Sequence, residues 1–510
     1  MKHRRILSGL AALMLAASLP MSALAREWDI ADGDITIVAD NDGQKVSQGT
    51  ENDISDDNPV IIGNSATNTV SIVAEKDQTA NVTLSGANID GSTKGNAAVS
   101  TTGEGNVSIE LDGDSTLKSG FSHAGLEKNN GGSLTITDED KNGKLTSEGG
   151  GYGAGIGGGY NGTGSDITIS GGEVNATGGA YGAGIGGGYN GTGSDITISG
   201  GEVKATGGAF GAGIGGGYEA GGSDIAISGG EVNATGGGAY GAGIGGGWGG
   251  SGSDITISGG EVKATGGSYG AGIGGGYSGD GSDITVSGGE VKATGGVNGA
   301  GIGGGLQGKG KDITVSGDAK LKVQGGVESW TGGAGAGIGN GGSKADGNQI
   351  PGAEVEPDTS DLTTGWIEYY APGADMDKDA PSQTIVGTYI PPQPAREAAA
   401  PAQPTAPLYR VTDGDGKDVS YETTWRDGVL TVTVEADRAV LTGRLSGIAS
   451  LQAQGIERIV FITKGATSEF LTADLLAAAP ATERYALTHD GEAVTFTAGE
   501  ADVSGILVKA

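Results

Sequence analysis

The sequence predicts an all-β chain: a right-handed parallel β-helix, a solenoid of about 29-residue coils, followed by a small C-terminal α+β domain. Three observations carry this expectation: a phrase repeated at a fixed period, strict alternation inside the phrase, and a change of composition near the C-terminal end. The phrase reads Tyr152-GAGIGGG-Tyr160, a short turn, then Ser165-DITISGGEV-Asn175-AT. Its central isoleucine recurs at Ile156, Ile185, Ile214, Ile244, Ile273 and Ile302, with spacings of 29, 29, 30, 29 and 29. The single 30 comes from one extra glycine in the run Gly236-Gly237-Gly238. A unit this short cannot bury an apolar face alone, so neighbouring units must stack.

Inside the unit, Ile167 and Ile169 face one way while Asp166, Thr168 and Ser170 face the other. Past the Gly171-Gly172 corner, Val174 and Ala176 alternate with Glu173 and Asn175. A period of two means strands, not helices. The run GAGIGGG adds a third extended segment whose one large side chain is Ile156. Three short strands cornered by glycine pairs make one coil, and coils stack at roughly 4.8 Å. A propeller blade needs a longer, four-stranded unit. Collagen needs glycine strictly at every third position, which this chain lacks.

Along the chain, residues 1–25 read as a secretory signal: Lys2, His3, Arg4 and Arg5, then an apolar stretch, then Ala23-Leu24-Ala25. The expected location is therefore secreted or extracellular, with the mature chain starting at Arg26 and no membrane insertion after cleavage. Residues 26–150 are a degenerate version of the coils, with candidate strands near 34–39, 60–63, 69–74, 81–86, 106–111 and 133–137. Leu126 stands thirty residues before Ile156, so the helix starts before the obvious repeats. The regular repeats occupy 151–345. Residues 346–390 read as a terminal cap or short unit, and 391–407, rich in proline and alanine, as a linker. The domain at 408–510 has little glycine and most of the arginines. Strands are expected at 430–435, 456–463 and 493–497, and helices at 448–454 and 468–479, with Ser468 as an N-cap.

Composition bounds the function. The 108 glycines among 510 residues leave too few bulky side chains for one large globular core, which a thin solenoid does not need. There is no cysteine, so stability rests on stacking and on any bound cations. A formal charge of −32 argues against nucleic acid and anionic lipid as partners.

Two acidic columns recur. Asp166, Asp195, Asp224, Asp254, Asp283 and Asp312 hold one position of the repeat, and Glu173, Glu202, Glu231, Glu261 and Glu290 another. Like charges stacked in register repel by about 1 kcal/mol each even in water. Lys204, Lys263 and Lys292, two residues after a glutamate, relieve part of this in the glutamate column. The aspartates either cap glycine turns or bind a cation, for which calcium, a hard ion that takes oxygen ligands, is the candidate.

The aromatics form two files beside GAGIGGG. One is Tyr152, Tyr181, Phe210, Tyr240 and Tyr269; the other is Tyr160, Tyr189, Tyr218, Trp248 and Tyr277. They are either a ladder that stabilises the solenoid or a platform for sugar rings. Catalysis is not expected. Gly153-AGIGG matches a dinucleotide fingerprint literally, but it recurs in every coil and opens no helix. Between Arg26 and Arg396 there is no arginine, and the one histidine is His123. Repeated identical carboxylates do not make the unique constellation a polysaccharide lyase would need.

The runs His123-AGLEKNNGGSLTIT, GAGIGGG and DITISGGEV resemble the secreted bacterial "carbohydrate-binding domain-containing" proteins over roughly residues 30–345. The resemblance implies a pectate-lyase-like right-handed β-helix that binds acidic polysaccharide or cell-wall glycan, with calcium and without cleavage. A structural spacer or adhesin stalk is the alternative.

Overall fold

The computed structural model describes residues 25–387 and 409–508, apart from Asp415, Asp427, Gln454, 479–483 and Glu500. All but the last residue of the expected signal, and the whole expected linker at 391–407, lie outside the described residues. The chain divides into two compact units, Met1–Tyr389 and Ile390–Ala510.

The first unit is a parallel β-solenoid. In the first regular coil the strands are Ile156–Gly157, Gly164–Ile169 and Glu173–Thr177. Each pairs in parallel with its copy one coil on, Ile156 with Ile185, Ile167 with Ile196 and Val174 with Val203. Three long sheets of 13, 11 and 12 strands result. The alternation read from sequence decides what is inside: Ile156, Ile167, Ile169, Val174 and Ala176 are fully buried, and their copies stack upon them coil after coil. Cutting one such isoleucine to alanine costs about 2–5 kcal/mol, because the stacked neighbours cannot collapse into the space.

All six candidate strands of the degenerate N-terminal part form, from Ile35–Asp40 to Leu134–Thr137. The open N-terminal edge is closed by Gly43–Gln48, antiparallel beside Ile35–Asp40, and by Glu51–Ser55, antiparallel beside Gly43–Gln48. Here Trp28 is buried and its indole N–H donates to Asp56 at 2.8 Å. At the other end Trp366–Tyr370 continues the third sheet in parallel, and Gln383–Val386 then reverses direction. Antiparallel strands at both ends stop further parallel stacking on those sheets.

Glycine sets how closely coils approach. Gly215, next to Ile214, has φ +127°, and a Cβ there would fall inside the carbonyl oxygen of Gly245 one coil on. The same holds at Gly157, Gly186, Gly245, Gly274 and Gly303, so the Ile-Gly corner admits no side chain at this position.

The second unit contains a five-stranded antiparallel sheet and a four-stranded mixed sheet, with helices Leu445–Ala453 and Thr472–Ala478. One expectation fails here. Ser468 is not a helix cap: it lies in the strand Thr467–Leu471, paired with Phe461, and the helix starts at Thr472. Ser468 and Phe470 alternate inward, and the period-two face outweighs the capping signal. The buried Ser468 hydroxyl meets His489 Nε2 at 2.8 Å, while Thr463 meets Nδ1 at 3.1 Å. Burial pushes the His489 imidazole down to about 4.

Gly215→Ala is expected to destabilise the solenoid by about 3 kcal/mol or more, since neither backbone can yield without breaking register. Gly238, the inserted glycine, has open space around its Cβ position. Gly238→Ala should leave the melting curve within about 0.5 kcal/mol of the parent. Circular dichroism melts of both variants check this.

Candidate functional site

The two aromatic files meet. Their positions flank a seven-residue run, Gly182–Gly188 in the second coil, that is wholly buried. The chain therefore dips inward between the two rings of each coil. Backbone hydrogen bonds then join the files across coils: Tyr189 N–H donates to Tyr152 O at 2.8 Å, Tyr218 to Tyr181 at 2.9 Å and Tyr277 to Tyr240 at 2.9 Å. The second-file residue of each coil is thereby fixed beside the first-file residue of the coil before.

Within a file the rings stack. Tyr181, Phe210 and Tyr240 are nearly parallel, with centroids 4.9 and 5.2 Å apart. Tyr160, Tyr189 and Tyr218 follow at 5.4 and 5.1 Å. Between files the rings meet edge to face, as at Tyr181 and Tyr218 (5.5 Å) and Tyr240 and Tyr277 (5.7 Å). Trp248 lies 4.6 Å from Tyr218, and Tyr269 lies 6.0 Å from Tyr277. All ten residues form one ribbon, half-buried except for the exposed Tyr160. Burial first, and then neighbouring phenols and Glu219, raise the Tyr189 and Tyr218 hydroxyls above their usual range, so they stay protonated donors.

The ribbon's surroundings are polar and largely neutral. The residue after each second-file ring is Asn161, Asn190, Glu219, Gly249 or Ser278, all with positive φ. Asn190 donates to Asn161 at 3.3 Å, and Ser278 to Gln307 at 3.4 Å.

The sequence missed the N-terminal end of the ribbon. Phe121, 63 % exposed, packs edge-on against Tyr152 at 4.6 Å. In the same coil, Glu127 and Lys128 replace the glycines of the Ile-Gly corner, since Leu126 pairs with Ile156 and Glu127 with Gly157. The Glu127 carboxylate accepts from Ala124 N–H at 3.0 Å and Asn129 at 2.8 Å, and meets His123 Nδ1 at 2.8 Å. Lys128 is buried and donates to Asn130 O at 2.9 Å. Burial lowers its pKa, and the charge of Asp166 opposes that shift. This group is unique in the repeats, but its hydrogen bonds are local and hold the corner closed.

The aspartate column has a conformational basis. Asp166, Asp195, Asp224, Asp254, Asp283 and Asp312 all have φ between 52° and 56°. Each is skipped in the ladder: Ser165 pairs with Ser194 and Ile167 with Ile196, while Asp166 stands out at a kink. Aspartate is among the few residues that visit this left-handed region readily. Among the described residues, the one group of three carboxylates close enough to share an ion is Glu110, Asp138 and Asp140, outside this column.

The glutamates do stack in register, Glu173 on Glu202 and onward to Glu290. Lysines close the two ends: Lys144 meets Glu173 at 2.6 Å and Lys320 meets Glu290 at 2.7 Å. Lys292, expected to relieve the column, is directed to Asp377 at 2.8 Å.

Five segments, 167–189, 196–218, 225–248, 255–277 and 284–306, match the family model described as a beta helix repeat. Each begins at the first core residue of the second strand, and the first four end on a second-file ring. No curated protein and no solved structure matches the chain. By fold and by repeat, then, the first unit is a parallel β-helix.

If the aspartates serve the kink, Asp254→Asn should melt within about 0.5 kcal/mol of the parent. Asp254→Val, which resists positive φ, should cost about 1–2 kcal/mol. Thermal melts of the two variants in parallel decide it.

Proposed function

We propose that this is a secreted, non-catalytic protein whose β-helix binds polysaccharide along the aromatic ribbon. The observation that carries this is the ribbon itself: ten rings in continuous contact, half-exposed, on the surface of a solenoid otherwise poor in aromatics. An extended glycan can lie along such a ribbon, its C–H groups against ring edges and its hydroxyls on phenols, asparagines and serines. The amide and hydroxyl neighbours and the charge of −32 favour a neutral glycan over the acidic one that the family resemblance implies. Non-catalytic binding suits a surface built of repeats, because cleavage needs groups with different roles at one place.

One observation favours a second reading, a structural stalk. Nearly parallel rings about 5 Å apart cover much of each other's faces, which stabilises the coil stack whether or not sugar binds. The two readings part in a binding experiment. Affinity electrophoresis of the parent in hydroxyethyl cellulose, xylan and polygalacturonate should show retardation by a neutral polymer. A Tyr218→Ala/Trp248→Ala double variant should lose about tenfold in affinity, or about 1.4 kcal/mol. Parent mobility unchanged in all three gels, with only the melting temperature lowered in the variant, would leave the stalk reading.

A further inference from the structure

The C-terminal end of the ribbon carries a feature the repeat does not explain. From Ile302 to Ile338 the spacing is 36 residues where the preceding coils have 29 or 30. One extra residue falls between Val315 and Lys320, and the other six fall at one place. Gly326 overlies Gly296 and Gly335 overlies Gly299, so this coil has eight residues, 327–334, where the coil before has two. Those two are Val297 and Asn298, and Asn298 stands 29 residues after Tyr269, at the first-file position. The insertion therefore grows out of the ribbon's own line.

Its tip is a tight turn. Ser329 and Gly332 exchange backbone hydrogen bonds of 2.9 and 3.1 Å, leaving Trp330 and Thr331 at the apex. Asn298, fully buried, bolts this turn down. Its amide donates to Gly332 O and Gly333 O, each at 2.7 Å, and its oxygen accepts from Ser329 at 2.6 Å and Thr331 at 2.8 Å. Lys344 holds the Trp330 carbonyl at 3.0 Å, and Gln349 the Ser329 carbonyl at 2.7 Å. Beneath the turn lies Leu306, one coil on from Tyr277 in the second file, whose side chain a Cβ at Gly332 would approach to 2.8 Å. Both file positions thus end in contacts with this one turn.

What the turn displays is an indole, 78 % exposed. Among the described residues Trp330 makes no ring contact, unlike every ring of the ribbon, whose faces are shared with neighbours. Ordering a turn by six side-chain hydrogen bonds while leaving its largest apolar group in water stabilises nothing by burial. It does pre-organise a rigid flat surface, which lowers the entropy cost of binding.

We propose that Trp330 is the stacking platform of the glycan site: the apolar C–H face of a neutral pyranose unit lies on its indole, at the end of the chain that runs along the ribbon. This rests on the ribbon reading, which supplies the rest of the ligand. Trp330 fixes where one sugar ring sits, and the ribbon contributes edges and hydroxyls along its length.

The test uses the full chain and hydroxyethyl cellulose as probe, with affinity read by calorimetry and indole emission followed during titration. The expected result is a blue shift of emission in the parent that is reduced in Trp330→Phe to what Trp248 of the ribbon contributes. Trp330→Ala should bind about tenfold more weakly with an unchanged melting temperature. Asn298→Ala, which frees the turn while keeping the indole, should weaken binding by a smaller factor. Parent binding with Trp330→Ala equally tight would overturn the platform and leave the ribbon standing. No binding by the parent would overturn both.

Discussion

Backbone meets backbone at the Ile-Gly corner, and the rest of the solenoid follows from that contact. At Gly215 and its copies the next coil's carbonyl oxygen occupies the space a Cβ would need. Only glycine satisfies it, and other glycines of the repeat, Gly153, Gly164 and Gly179 among them, lie just as close to the backbone of a neighbouring coil. The corner is short because glycines on both sides of Ile156 turn the chain within two residues. Since the chain dips inward there, the residues flanking the dip are brought side by side. Aromatics at these two positions become a ribbon, because every coil repeats the geometry and backbone hydrogen bonds lock one file to the other.

The same register has an electrostatic consequence. Any charge at a repeat position becomes a column at the ladder spacing, and the glutamates stack on one another. The column is closed by Lys144 and Lys320, which belong to the coils just outside the glutamates. The aspartates are a different case: in six coils they occupy a left-handed kink that the ladder skips. Two acidic columns that look alike in sequence thus stand in unlike backbone settings.

Period and alternation made the solenoid legible, because a parallel stack translates sequence periodicity directly into space. Both aromatic files could be read for the same reason. What lay outside the period could not. Phe121 stands five residues before Leu126, whereas Tyr152 stands four before Ile156, so the first ring of the ribbon is out of phase by one. Trp330 sits in an insertion, and nothing in its neighbours' sequence shows that Asn298, 32 residues earlier, clamps the turn. His123 and Glu127 meet through a corner and not through a helix. In the second unit Ser468 carried a capping signal, but a buried strand face and the His489 contact decided its place. Local propensity loses wherever tertiary contacts fill a face.

Coil deletion shows directly whether one glycine-set register both stacks the coils and assembles the ribbon. Removing Gly186 to Ile214 deletes 29 residues and joins Ile185 to Gly215, an equivalent junction. A second deletion of the same kind shortens the ribbon by another pair of rings. Both variants should melt cooperatively, with affinity for a neutral polysaccharide falling at each step. Affinity unchanged by the loss of two ring pairs, or a chain that no longer melts cooperatively after one in-register deletion, would contradict it.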